Sequence, residues 1–549
     1  MRRHLTLTFF CLVVGVFVLG CAGGGDENVS EEAPVPETSG PSLGIRPNGD
    51  TELQPDLTQV SDELKQVYDY IDEHIDEHVI NFQRWVQQPS ISNTGEGIPE
   101  SAQMVKGFFD QLGCQQSQVY EVGETEWGSQ GNPVVYAKCD EGAERTLVIY
   151  WMYDTMPITQ PDLWNYPPFA AELVEQPPFP KVLIGRGATN SKGPQMAQWN
   201  AFMSIKAVHG KLPVNLIVVA EGDEERMSIG LRQFVKDHPE LFADADAMYR
   251  FGRGGAGGGG SLSGGSEGCV YIELTTSGAQ WGRGPVYGDI HGGRKRAVDS
   301  PAWRHMQMLE SLIDENGNIA RVNGFYDDVE PLSNAALASL RKRAEGIDLE
   351  VAARNLGVAR FISDDPFEYL KMAAYGISFN LDGIWGGNMY GGGAGAILPS
   401  KITSKHNTRY LPVQDGIDLM NKVRAQIDRN GYEDVEMRVI GDVPWSKMRY
   451  DTDVARALSR TYDIFGMSYA EPVAEETILG PYWPAYLFAR DWGTDVPIQM
   501  PIVGGAAGYG AGSHANNEFF VIEGAGKVYG YAGAEKSVAT VLYNYAGAN

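Results

Sequence analysis

The sequence predicts an α/β fold in which one domain is inserted inside another. Three observations lead there. Short apolar runs alternate with segments of helical periodicity from about residue 57 onward. One run, Val214-Ala220, is apolar except for Asn215, as a strand buried on both faces of a parallel sheet would be. The rhythm then breaks after a glycine-rich stretch, gives way to a second unit, and resumes towards the carboxyl terminus.

The elements follow in order. The apolar run from Leu5 to Gly20, behind Arg2, Arg3 and His4, is too short for a comfortable membrane span and reads as an export leader. It ends at Val18-Leu19-Gly20-Cys21, a small-residue box that resembles the cleavage site of a bacterial lipoprotein. The expectation is a leader over 1–20, a lipid on Cys21 and anchorage to the bacterial cell envelope, periplasmic or outer-membrane; the alternative is a plain secretory signal. Residues 21–56 are expected to form a flexible tether, because the stretch to about Thr51 is rich in Glu, Pro, Ser and Gly and has no apolar period. Leu64, Val67, Tyr68, Ile71, Ile75 and Ile80 mark an amphipathic helix. It carries His74-Ile75-Asp76-Glu77-His78, which fits a His-x-x-Glu-His metal pattern, but the repeated charges read as a solvated face.

Strands are expected at 134–136, 147–150 and 214–220, and helices at 191–208 and 229–242. Residues 57–285 and 407–549 form the two parts of the α/β domain, and 286–406 form the insert, with helices at 303–313 and 335–344. The Gly252–Gly268 stretch contains Gly-x-Gly-x-x-Gly strings without a strand-loop-helix setting, so it reads as a loop and not a dinucleotide site. The formal net charge of −27 disfavours nucleic acid as a partner. After loss of the leader Cys114, Cys139 and Cys269 remain, an odd number that argues against a purely disulfide-based design.

The chemistry gathers in four segments. Trp151-Met152-Tyr153-Asp154, Gly185-Arg186-Gly187-Ala188-Thr189-Asn190-Ser191-Lys192-Gly193-Pro194 and Glu221-Gly222-Asp223-Glu224-Glu225 sit just after expected strands, where α/β sheets place their sites. The fourth, Gly512-Ser513-His514-Ala515-Asn516-Asn517-Glu518, comes late. Adjacent carboxylates at a strand end are costly unless a general base or a metal uses their charge.

In order and wording these segments resemble the two-zinc peptidase family of carnosine dipeptidases, aminoacylases and succinyl-diaminopimelate desuccinylases. The resemblance covers nearly all of the chain after the tether. Asp289-Ile290-His291-Gly292-Gly293 resembles the opening of that family's lid and dimerisation domain, and Asn407-Thr408-Arg409-Tyr410-Leu411-Pro412 its exit. The resemblance implies a zinc-peptidase-like catalytic domain with an inserted α+β lid, a homodimer, and hydrolysis of a peptide or N-acyl amino acid amide bond. It assigns Glu224 as general base, His291 as a lid residue reaching the scissile carbonyl, often in the partner subunit, Asp154 as the orienter of a ligand histidine, and Arg409 as the pair for a substrate carboxylate. Glu225 and His514 match metal ligands. The other ligand positions do not match: Met152 stands for the histidine, Asn190 for the bridging aspartate, and Gly252 for the later aspartate. A thioether and a neutral amide are poor donors for zinc. The expectation is therefore at most one divalent metal, zinc or similar, or none, between Glu225 and His514 with Asn190 as a weak ligand. Gly480-Pro481-Tyr482-Trp483-Pro484 replaces a small polar segment of the family, so Tyr482 should narrow the pocket and meet substrate. Two other functions fit the same pattern: a metal-poor or metal-free acid/base enzyme, and a non-catalytic lipid-anchored binding protein.

Overall fold

A computed structural model describes residues 42–262, 265–447, 450–469, 481–489 and 498–548. The leader, Cys21 and the tether up to Pro41 lie outside the described residues, as does Gly480. Ser42–Asn549 form one unit. No helix among the described residues is long and apolar enough to cross a membrane.

The main strands are β1 (Gln116–Tyr120), β2 (Val134–Cys139), β3 (Thr146–Met152), β4 (Glu172–Gln176), β5 (Phe179–Ile184), β6 (Asn215–Glu221), β7 (Ala247–Gly254), β8 (Gly268–Ser277), β9 (Ser378–Trp385), β10 (Lys401–Tyr410), β11 (Glu436–Val443), β12 (Ile502–Ala511) and β13 (Phe519–Glu523). Nine of them form one mixed sheet in the order β1-β2-β6-β3-β7-β12-β13-β5-β4. Its centre, β6-β3-β7-β12, is parallel. These strands are apolar on both faces because both faces are covered. Leu147, Ile149 and Trp151 of β3 join a core with the helices at 62–111, 193–209, 453–464 and 531–546. Val148, Tyr150 and Met152 point the other way, against Ile229, Phe234 and the Trp483–Phe488 segment.

The insert is a four-stranded antiparallel sheet in the order β9-β10-β8-β11. Its core sets Val270, Ile272 and Leu274 against Met308 and Leu312, and against Leu419, Met420, Val423 and Ile427 of the helix Gly416–Arg429. The insert is thus wider than the expected 286–406. Strand β8 pairs with β10 along its whole length and with β11 on its other side, so 268–277 and 416–443 belong to the lid and not to the flanking domain. Hydrogen-bonded partners, invisible in local composition, decide the boundary.

Two further expectations are corrected. Residues 42–56 are not free tether: Asp76 accepts the backbone N–H of Leu43, Gly44 and Ile45 at 2.7, 3.1 and 2.9 Å, and Asp50–Thr51 pairs in parallel with Ala525–Gly526. The charges at 72–78 are therefore not simply a solvated face. His78 is buried, with Nδ1 2.7 Å from Glu535, whose other oxygen accepts from Asn200 at 2.9 Å. The expected long helix there breaks at His74 into Asp62–Glu73, capped by Ser61, and Ile75–Gln87. Cys114 and Cys139 form a disulfide, and Cys269 is free and buried.

Candidate active site

Strands β6, β3, β7 and β12 lie side by side, and the segments after β5, β6 and β12, with residues of β7 and β12 themselves, line a cleft of about 500 Å³. Thr189, Asn190, Ser191, Glu224, Arg250 and His514 line one part of it; Glu267, Arg409 and Tyr482 line another.

The turn after β6 places Glu224 and Glu225. It is tight, because a Cβ on Gly222 would run into the Tyr153 ring. Asp154, fully buried after β3, accepts the backbone N–H of Glu224 at 3.3 Å and of Glu225 at 3.0 Å. Burial and the neighbouring charges of Glu225 and Glu224 push its carboxyl well above the usual range. Asp154 does not line the cleft, so the expected place among the catalytic residues is corrected to a positioning one. With Met152 in place of a histidine, its two oxygens close the turn that carries the glutamates. The Glu224 side chain is almost buried at the cleft surface. Burial, then the charge of Glu225, raise it to about 7, while Arg250, His514 and Arg409 pull the other way.

The Gly185–Pro194 segment is locked by a residue whose role the sequence did not disclose. Glu518 is completely buried and accepts from Arg186 at 2.7 Å and from the backbone N–H of Gly187, Thr189 and Asn190 at 3.0, 2.9 and 2.8 Å. Burial raises its carboxyl; the four donors oppose that. The segment is thereby fixed with the Asn190 amide nitrogen 2.8 Å from Glu225 Oε1 and 3.2 Å from His514 Nε2. His514 Nε2 also stands 3.2 Å from Glu225 Oε1. The hydrogen bond to Glu225 is the main cause of an upward shift at His514. The sequence pattern thus brought Asn190, Glu225 and His514 to one point.

This donor set does not fit a pair of metal ions. Among the described residues no group of three or more His, Cys, Asp or Glu could hold one. Met152 offers a buried thioether, Gly252 offers no side chain, and Asn190 directs a donor, not an anionic bridge, at Glu225. Among the described residues the Glu225–His514 edge remains.

Arg409, on lid strand β10, stacks over Tyr482 with its guanidinium carbon 4.3 Å from the ring centre and pairs with Glu267 at 3.2 Å. Both line the cleft. His291 is exposed, in a short pairing of Ile290–His291 with Ile397–Leu398, and does not line the cleft of its own chain. Two arginines went unremarked in the sequence, Arg250 and Arg253, both on β7 and both lining the cleft. A cation inside the otherwise apolar Ala247-Met248-Tyr249-Arg250-Phe251 run was the available signal.

The sequence profile of peptidase family M20/M25/M40 matches residues 151–529, more than half of the chain. The chain belongs to that family. Among its relatives, the Cys-Gly metallodipeptidase DUG1 of Candida albicans is 26% identical over 479 residues, covering 83% of this chain and 93% of that protein. The human Beta-Ala-His dipeptidase is 26% identical over 435 residues, covering 73% of this chain and 80% of that one. The structure of an M20 family metallo-carboxypeptidase from Sulfolobus solfataricus superposes with a TM-score of 0.70 at 26% identity, over 86% of this chain and 99% of that one. The M20 chain described here is thus a peptide-bond hydrolase by family, and family membership implies a divalent metal such as zinc. Met152, Asn190 and Gly252 stand where the resemblance places three of that family's ligands.

Proposed function

We propose that this M20 chain hydrolyses the amide bond of a small peptide or N-acyl amino acid whose carboxylate is held by Arg409, with Glu224 as the base that activates water. One observation carries the reading: Glu224 and Arg409 face a single cleft from different layers of the molecule, with Tyr482 fixing the guanidinium. Glu224 takes a proton from the attacking water and passes it to the leaving nitrogen as the C–N bond breaks. His514 and Asn190 line one side of the cleft, with His514 Nε2 and the Asn190 amide nitrogen both set against Glu225 Oε1. At most one divalent ion finds ligands, on the Glu225–His514 edge, and no step is assigned to it. His291, outside its own cleft, is proposed to serve the cleft of a second copy in a homodimer formed through the lid.

Screening dipeptides and N-acyl amino acids against wild type and Glu224→Gln tests the reading. Expected is turnover that falls by about 10²–10⁴-fold in the variant. Binding without turnover of any such amide, with zinc or without, would favour the non-catalytic reading. We also propose export and lipid attachment at Cys21; labelled palmitate should enter the wild type and not Cys21→Ser.

A further inference from the structure

Among the described residues four basic side chains line the cleft: Arg250, Arg253, Arg409 and His514. Three have partners. Arg409 pairs with Glu267, Arg253 donates to the Gly510 carbonyl at 2.9 Å, and His514 stands against Glu225. Arg250 has no hydrogen bond or ion pair among the described residues. Strand β7 turns Tyr249 and Phe251 into the helix-covered core, so Arg250 and Gly252 face the other way, into the cleft. Gly252 stands where the resemblance places an aspartate ligand. The strand therefore offers a guanidinium on the face where it lacks a carboxylate. Gly504 of β12, in register beside Arg250, puts no side chain in its way. The guanidinium carbon stands 5.3 Å over the ring of buried Trp483, which packs on Tyr150 with ring centres 5.4 Å apart. Tyr150 in turn donates its hydroxyl to Glu221, at the end of β6, at 2.6 Å. The stack holds the guanidinium towards the strand end that carries Glu224. Against burial and the charge of Glu225, Arg250 pulls the Glu224 carboxyl down. Attack on an amide carbonyl puts a negative charge on its oxygen, here beside two glutamates. In a two-metal site the ions take that charge, and the donor set of this cleft does not fit such a pair. A stacked guanidinium with unspent N–H donors suits the same task.

We propose that Arg250 is a catalytic residue whose guanidinium supplies the positive charge that a metal pair would otherwise supply, by holding the oxyanion formed beside Glu224. This deepens the hydrolase reading and rests on it for the placement of the reacting amide. The water oxygen bonds to the carbonyl carbon and its proton goes to Glu224. The carbonyl π electrons move onto oxygen, where the Arg250 N–H groups hold them as O⁻. The carbonyl then re-forms, the C–N bond breaks, and Glu224 returns the proton to the leaving nitrogen. Arg409 keeps the substrate carboxylate throughout, so the two arginines have separate tasks: one binds the ground state, the other the transition state.

The test compares two non-hydrolysable isosteres of alanylalanine: a phosphinic one, tetrahedral and anionic at the reacting position, and a ketomethylene one, planar and neutral there. Their binding to the full chain is measured by calorimetry in chelator, and turnover of alanylalanine is measured alongside. The phosphinic isostere should bind roughly tenfold tighter or more. Arg250→Gln should bring that ratio near one, and Arg250→Lys should keep part of it. In turnover, Arg250→Gln should lower kcat by about 10²–10³-fold and leave KM within about threefold, because the interaction forms only as the oxyanion does. Should Arg250→Gln fail to fold, Arg250→Lys decides by the same two readouts. A ratio that is absent in wild type, that appears only with zinc, or that survives the substitution overturns the proposal, as does a KM that rises with kcat unchanged. An Arg250-dependent ratio with no turnover of any dipeptide or N-acyl amino acid would sustain the oxyanion site and defeat the hydrolase reading; turnover without such a ratio would do the reverse.

Discussion

Asp154 accepts the backbone N–H of Glu225 at 3.0 Å from a site with no exposure to solvent. A carboxyl group that the family uses beside a ligand histidine here holds the turn bearing both glutamates. Its raised ionisation range makes the neutral form compatible with that task. Asp154→Asn keeps an acceptor for one of the two N–H groups and turns an amide donor on the other, so it should cost about 1–2 kcal/mol, whereas Asp154→Ala leaves both buried N–H groups without an acceptor and should cost roughly 2 kcal/mol or more. Denaturant melts of both variants, with turnover on the best amide substrate, check this. An Ala variant as stable as wild type would contradict the positioning role.

The metal centre is expected to be recoverable by design. A Cβ on Gly252 meets nothing closer than the Gly505 carbonyl at 3.9 Å, so an aspartate fits. The triple variant Met152→His/Asn190→Asp/Gly252→Asp should retain two zinc ions per chain after dialysis. Wild type should retain none in that paired form and should keep its activity in chelator. Elemental analysis before and after chelation decides. Two tight zinc ions in wild type, with activity lost on their removal, would refute the account of the ligands.

Glu518 should be among the most sensitive positions outside the cleft. Glu518→Ala strands the buried Arg186 guanidinium and three backbone N–H groups, for an expected loss of about 3–5 kcal/mol. Glu518→Gln keeps acceptors at one oxygen only and should fall between. Thermal melts of the two variants order them; an Ala variant as stable as wild type would contradict the role assigned.

The lid should weaken in mild acid. His305 and His406 are buried and joined through Ser404, with Nε2–Oγ distances of 2.8 Å each. Burial lowers both from 6.5 to about 4. A histidine depressed in the folded state costs nothing above pH 6.5. Below it the unfolded chain takes up the proton first, so stability falls until about pH 4, by roughly 3 kcal/mol per histidine. His305→Gln/His406→Gln should flatten that part of the melting-temperature profile between pH 7 and 4.5. An unchanged slope would place the acid sensitivity elsewhere.

Much of this was legible in the sequence for a physical reason. Residues that end parallel strands must fall at one edge of the sheet, so Asp154, Glu224 and the 185–194 segment could be brought together from strand order alone. Asn190, Glu225 and His514 were grouped by the resemblance to the family's ligand pattern. What stayed hidden depended on partners distant in the chain. Glu518 stood in plain view, but its hydrogen bonds go to residues more than three hundred positions away. The lid boundary depended on which strand β8 chose to pair with. Arg250 looked like an interruption of an apolar strand until Trp483 came beneath it.

Arg409 belongs to the inserted sheet, while Arg250 lies on a strand of the nine-stranded one and Glu224 in the turn that follows another. The span from the carboxylate anchor to the reacting bond is therefore set by neither layer alone but by the angle at the two connections between them. Tilting the insert by a few degrees would lengthen or shorten that span without altering a single side chain in the cleft. Selection among substrates of different backbone length can thus be retuned by substitutions at the connections near residues 267 and 444, leaving the chemistry of the cleft untouched.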